Sequence, residues 1–270
     1  MLHLTPFLTA YFTVLAFVLG TVLASFLGCL GWRMCHGESV FKGRSHCDSC
    51  GHTLGVKDLI PILSYVSTKG RCRYCGATIP KLNLYGELIL GIIFAVLTYL
   101  TADPYSLSWK LIFVSVLYLV SVTDIYEQII PDGALLVAIL VRIIYVIFGA
   151  QSFTFSEFIW LLVDGLALSL PLLLLVLLME KIWKKEAMGG GDIKLIFVTG
   201  LYLGWIHNFL VLLLACIVGI IIGLIQQKNT IDTEGEEDTF YFPFGPSIAI
   251  SAVFVLLFGD GIINWYLSLL

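Results

Sequence analysis

Eight apolar runs, at about 6–29, 83–101, 107–123, 133–149, 157–179, 193–206, 208–226 and 246–268, leave this chain little choice of fold. A bilayer core takes roughly 20 residues of helix to cross. Lipid offers no partner to backbone N–H and C=O groups, so such spans become helices that pack as a bundle. With 59% hydrophobic and 13% charged residues and a mean hydropathy of +0.97, a soluble domain of 270 residues is excluded. The expected fold class is an all-α polytopic membrane protein of about eight transmembrane helices, the sixth run being the shortest. Nothing in the pattern resembles an outer-membrane barrel.

Charge placement sets a topology. The first run has no basic stretch before it, and its nearest charge, Arg33, follows it, unlike a cleaved signal. That asymmetry puts the N-terminus outside and the next segment inside. Residues 30–82 carry Arg33, Lys42, Arg44, Lys57, Lys69, Arg71, Arg73 and Lys81. Lys181, Lys184, Lys185 and Lys228 fall in loops that alternate onto the same side, and Lys110 is the one base in an outer loop. Both termini are thus expected outside and 30–82 in the cytoplasm. The acidic run Asp232, Glu234, Glu236, Glu237 and Asp238 reads as a solvated loop, or as a weak attractor for a basic substrate segment.

Three parts are expected: a first transmembrane helix over 1–29, a Cys- and Gly-rich cytoplasmic insert over 30–82, and a membrane bundle over 83–270. No internal repeat is evident. Pro131, Pro171, Pro243 and Pro246 mark span starts or a kink.

Within the insert, Cys47-x-x-Cys50 and Cys72-x-x-Cys75 have the ligand spacing of a zinc ribbon. Gly51 and Gly76 follow each pair and suit the tight turn of a metal knuckle. Metal binding would supply folding free energy to a segment without a core of its own. Two disulfides, or a redox role, are the rival readings, and a reducing cytoplasm argues against both. His46 and His52 flank the first pair as further possible ligands, whereas Cys29, Cys35 and Cys216 read as packing residues.

Gly189-Gly190-Gly191-Asp192 opens the sixth run, and Asp124 closes the third. An ionisable residue at the edge of a span is costly and marks a functional site by default. The topology puts both carboxylates at the cytoplasmic rim. Two carboxylates sharing one proton are the arrangement that hydrolyses peptide bonds in aspartic proteases. One, ionised, takes a proton from water, and the other, protonated, polarises the scissile carbonyl. The bland alternative is that each aspartate caps a helix. Glu127 and Asp132 read as loop residues that could orient, and Lys194 as a snorkelling or charge-balancing neighbour. Asp164 and Arg142, inside the fifth and fourth runs, are expected to form a structural ion pair.

These residues resemble the type IV prepilin peptidase family, membrane aspartyl proteases of the GxGD type. The resemblance runs from about Ala24 to Ile225. It is carried by Ser25-Phe26-Leu27, Arg33, Arg44-Ser45, both Cys pairs, Glu87, Asp124, Ile130-Pro131-Asp132 and Gly189 to Lys194. It implies that Asp124 and Asp192 are catalytic, with Gly189, Gly190, Gly191, Lys194 and Asp132 in support, and that Cys47, Cys50, Cys72 and Cys75 bind zinc. It further implies a multi-pass enzyme of the bacterial inner membrane whose partners are type IV prepilins or pseudopilins and the lipid bilayer, not nucleic acid. Such an enzyme removes a basic leader and transfers a methyl group from S-adenosylmethionine to the new N-terminus. No Gly-rich strand–helix loop marks a site for that donor, and the resemblance offers Glu87 for it. The chain departs from the family at Gly28, where many members have Asn, and at Met34-Cys35, where many have Leu-Pro. A proton-coupled transporter using the same aspartates, or a scaffold without chemistry, are the alternatives.

Overall fold

The computed structural model describes residues 5–39, 43–149, 154–184, 188–230 and 243–269, with side chains to 225 in the fourth of these segments. The acidic run at 232–238, Lys42 and Lys185 lie outside the described residues, as does the side chain of Lys228. The regular secondary structure of the described residues is helical apart from isolated backbone bridges in the insert. Helices α1 (Pro6–Cys35), α3 (Lys81–Leu100), α4 (Pro104–Glu127), α5 (Asp132–Gly149), α6 (Phe155–Trp183), α8 (Trp205–Thr230) and α9 (Gly245–Leu267) are long and apolar enough to cross a membrane. A short α2 (Leu63–Ser67) lies in the insert, and α7 (Gly190–Leu203) is the eighth apolar helix.

Helix starts follow from local chemistry. Thr5 Oγ1 accepts the Leu8 amide at 3.2 Å, and Pro6 takes the first helical position, where its missing N–H costs nothing. Asp103 Oδ2 accepts the Ser106 amide at 2.7 Å at the head of α4. Thr154 and Glu157 form a capping box on α6.

The chain divides into two compact units, Met1–Tyr126 and Glu127–Leu270. In the first, α1 and α3 cross at Gly20 and Gly91. A Cβ on Gly20 would lie 2.9 Å from the Gly91 Cα, so only glycine lets the backbones approach this closely. Helix α4 packs on the same pair. Gly31 of α1 receives Val122, and the Tyr118 hydroxyl lies against Gly86 of α3.

In the second unit α7 touches α5, α6, α8 and α9. Its 14 residues rise only about 21 Å, short of the ~30 Å of a hydrocarbon core. Seven spans therefore meet the length requirement where about eight were expected. Surrounded by protein, α7 carries polar groups that lipid would not tolerate. Thr199 Oγ1 donates to Asn208 Oδ1 at 2.7 Å, and Asn208 Nδ2 donates to the Ile196 carbonyl at 2.9 Å, all buried. Gly204, at φ +83, ends the helix in a conformation open to glycine.

The Arg142–Asp164 pair expected from the sequence is not among the ion pairs of the described residues. Arg142 Nε instead donates to the Leu201 carbonyl at 2.9 Å, and its guanidinium lies 5.4 and 5.6 Å from the Tyr145 and Tyr202 ring centroids. Asp164 Oδ1 accepts the Trp205 amide. Each ionic group thus has a backbone partner, and Asp164 still lies near enough to Arg142 to act on it electrostatically.

Candidate functional site

The two Cys pairs form a single cluster. The sulfurs of Cys47, Cys50, Cys72 and Cys75 all lie within 4.8 Å of one another, with Cys47 and Cys75 3.8 Å apart. A tetrahedron with Zn–S bonds of about 2.3 Å has edges of roughly 3.8 Å, so four thiolates here fit zinc. His46 and His52 are not in the cluster, and the His52 ring lies on Tyr74 at 3.6 Å.

The cluster arises from a repeated local structure that the sequence reading missed. Cys47 N donates to His52 O, Gly51 N to Cys47 O and Leu54 N to Ser45 O. Cys72 N to Ala77 O, Gly76 N to Cys72 O and Ile79 N to Gly70 O repeat the pattern one knuckle later. The bridges His46–Thr53 and Arg71–Thr78 correspond as well, and Gly51 and Gly76 share positive φ values of 69° and 73°. The signal was present as Cys-x-x-Cys-Gly-x-Thr in both copies.

Sharing one site splits the thiol titrations. The amides of Cys75 and Tyr74 hold the Cys72 thiol down to about 7. Cys75 receives the Ala77 amide, yet burial and the three neighbouring thiols push it up to about 12. Asp58 braces the second knuckle: Oδ2 accepts the Gly55 amide at 3.1 Å and the Tyr74 hydroxyl at 3.0 Å, and Oδ1 meets Arg73 Nε at 2.9 Å. The Gly55 amide, then Tyr74 and Arg73, hold its carboxyl below the usual aspartate range.

Asp124 lies in the last turn of α4 and is buried, 5% exposed. The helix end around it is held by Gly31 against Val122 and Thr123, and by Cys35 Sγ, 3.8 Å from the Thr123 carbonyl. Gln128 follows at φ +54, a left-handed residue that terminates α4.

Asp192 lies in the first turn of α7 and is half-buried. Its amide donates to Gly189 O at 3.1 Å, and a helix start favours a carboxylate there. Two contacts fix this turn. A Cβ on Gly191 would meet the Ile130 Cβ at 3.0 Å, and Lys194 Nζ lies 2.7 Å from Asp132 Oδ1. The second unit thus brings Gly191 and Lys194 onto the Ile130-Pro131-Asp132 segment. Gly190 faces open space.

The model of the bacterial peptidase A24 N-terminal domain matches residues 18–101, and that of the type IV leader peptidase family matches 111–224. A prepilin leader peptidase/N-methyltransferase of Bacillus subtilis (strain 168) is 30% identical over 253 residues, covering 94% of this chain and 97% of that protein. The chain belongs to the type IV leader peptidase family. Relatives of the same name in Aeromonas salmonicida (strain A449) and Pseudomonas aeruginosa are each 31% identical, over 227 and 228 residues, 83% of this chain and 75% and 74% of theirs. No solved structure matches it significantly.

This leader peptidase family member is a multi-pass membrane protein whose two matched segments together carry every residue that suggested the resemblance. The A24 N-terminal match holds Ser25, Arg33, both knuckles and Glu87. The leader peptidase match holds Asp124, Asp132 and the Gly189–Lys194 turn. Glu87 is buried on α3, and its Oε2 accepts the Ile62 amide at 2.7 Å.

Proposed function

We propose that this chain removes the basic leader from type IV prepilins or pseudopilins at the cytoplasmic face of a bacterial inner membrane, then N-methylates the exposed terminus. Family membership supports the reaction class, and the relatives' names supply both activities. The observation that carries the assignment is the turn Gly189-Gly190-Gly191-Asp192, held at the head of α7 in the segment matched to leader peptidases.

Asp124 and Asp192 act as the acid–base couple. One carboxylate, ionised, removes a proton from the attacking water, and the other, protonated, donates a hydrogen bond to the scissile carbonyl. Their titrations are those of a pair and not of either residue. Lys194, paired with Asp132, keeps the α7 turn in register with Ile130-Pro131-Asp132. Cys47, Cys50, Cys72 and Cys75 hold a structural zinc that organises the cytoplasmic insert. S-adenosylmethionine supplies the methyl group. The transporter and scaffold readings gain nothing from the family match.

Asp124→Asn and Asp192→Asn, each co-expressed with a prepilin, test this reading. Each is expected to lower leader removal at least about 10²-fold while the protein still accumulates in the membrane. Undiminished cleavage by either variant would overturn it.

A further inference from the structure

The first unit holds a partly open cavity of about 340 Å³ between the insert and the ends of α1, α3 and α4. That size falls within the range of small-molecule pockets, roughly 300–1,000 Å³. Trp32, Tyr65, Tyr118 and Tyr126 line it together with two aspartates and two arginines of the insert, and Glu87 faces it from α3 at 9% exposure.

Glu87 is held in place by two donors. Its Oε2 accepts the Ile62 amide, and the Ser25 side chain adds a second hydrogen bond. Two donors fill about half of the roughly four lone-pair sites of a carboxylate, so it can still accept from a ligand. The Ile62 amide is aimed by a strained turn. Ile62 has φ 61 and ψ −54, and Leu63 N reaches back to Pro61 O at 2.6 Å. A β-branched residue adopts such a conformation only where its surroundings enforce it, and such strain concentrates at ligand sites. A buried carboxyl group with spare acceptor capacity beside four aromatic rings suits an ammonium ligand, which can share or give up a proton there.

We propose that this cavity is the methyl-transfer chamber and that Glu87 receives the ammonium group of the newly exposed N-terminus. The proposal rests on the methyltransferase half of the reading above. An ammonium nitrogen has no lone pair, so it must lose a proton before it can be methylated. Glu87 takes that proton and becomes a neutral acid, and the freed amine becomes the nucleophile. A bound sulfonium donor supplies the methyl group, its S–C bond breaking as the N–C bond forms and sulfur keeping the electron pair as a thioether. Glu87 then releases its proton to water, and the product is a secondary ammonium. The aromatic rings suit the cationic donor, while Tyr118, lodged against Gly86, bounds the chamber beside Glu87.

Glu87→Gln in the full-length, detergent-solubilised protein is the test. Glutamine keeps an oxygen for the Ile62 amide but cannot take a proton. The mass of a processed prepilin N-terminus reports cleavage and methylation together, and equilibrium dialysis with S-adenosylhomocysteine reports donor binding. Glu87→Gln is expected to yield cleaved product whose methylation rate falls about 10²-fold or more, with S-adenosylhomocysteine still bound. Asn83→Trp, which fills the chamber from an exposed position on α3, is expected to weaken S-adenosylhomocysteine binding about tenfold or more. Methylation by Glu87→Gln at the wild-type rate would overturn the proposal. So would joint loss of cleavage, methylation and donor binding, which would make Glu87 an anchor of the insert. Unaltered donor binding by Asn83→Trp would remove the chamber. A wild-type protein that cleaves but never methylates would instead sink the methyltransferase reading on which the proposal stands.

Discussion

Asp164 Oδ1 accepts the amide of Trp205 at 3.2 Å, so a carboxylate on α6 caps the first residue of α8. The break between α7 and α8 leaves backbone donors exposed in a region where water is scarce, and this side chain satisfies one of them. Gly200, whose Cβ would lie 2.6 Å from the Asp164 carbonyl, lets the two helices approach for that contact. Asp164→Ala is expected to destabilise the second unit by about 1–2 kcal/mol, the usual worth of such a cap. Asp164→Asn keeps an acceptor oxygen and should retain leader cleavage. Thermal unfolding of both variants beside a cleavage assay checks this, and loss of cleavage in folded Asp164→Asn would give the residue a chemical role.

The three glycines before Asp192 are not equivalent. A Cβ at Gly190 meets nothing, whereas at Gly191 it meets Ile130 Cβ at 3.0 Å. Gly190→Ala should be neutral or stabilise α7 by up to about 1 kcal/mol through lost unfolded-state entropy. Gly191→Ala must push a stiff β-branched side chain aside, and overpacking of this kind costs roughly 1–3 kcal/mol. Since Ile130 braces the turn that carries Asp192, Gly191→Ala should also cleave more slowly than Gly190→Ala. Equal cleavage by the two would detach this packing contact from activity.

The knuckles should depend on metal. Cys72→Ser removes one thiolate and is expected to abolish zinc retention, measured by elemental analysis of the purified protein. Structural zinc contributes on the order of 10 kcal/mol to folding in small domains. Limited proteolysis should therefore open the 43–80 segment of the variant, or of chelator-treated protein, while Glu127–Leu270 stays protected. A wild-type preparation without zinc would end this account.

Asp103 gives a pH dependence of known sign. The Ser106 side chain, then its amide, hold the Asp103 carboxyl below the usual aspartate range. A folded-state pKa below the unfolded value of 3.8 means that the contribution is present above that pH. It fades as pH falls through the lowered folded value. Asp103→Asn still caps α4 but cannot titrate, so its melting temperature should fall less steeply than the wild type's below about pH 4. Parallel acid profiles would show that the cap contributes nothing through its charge.

Much of the architecture was legible from residues 6 to 268. Each described α-helix except α2 overlaps an apolar run, and α3, α5, α8 and α9 start within a few residues of it. Hydrophobic length is a local property, and in lipid the backbone has no alternative to the helix. The knuckle spacing announced the cysteine cluster for the same reason, since two cysteines and one glycine at short range encode each loop. The duplicated hydrogen-bond pattern is faint in the sequence because only four residues in each ten-residue copy are identical.

What the sequence by itself determined was therefore composition-driven: a multi-pass helical chain, a four-thiol cluster, and carboxylates stationed at span ends. Only tertiary structure decided that Arg142 meets Leu201 and the tyrosine rings, that Asp164 serves α8, and that Glu87 accepts the Ile62 amide and faces a cavity with Tyr118. Hydrogen bonds and close packing act over a few ångströms. Which groups come that near is fixed by how separate helices cross, and a linear pattern does not encode the crossing.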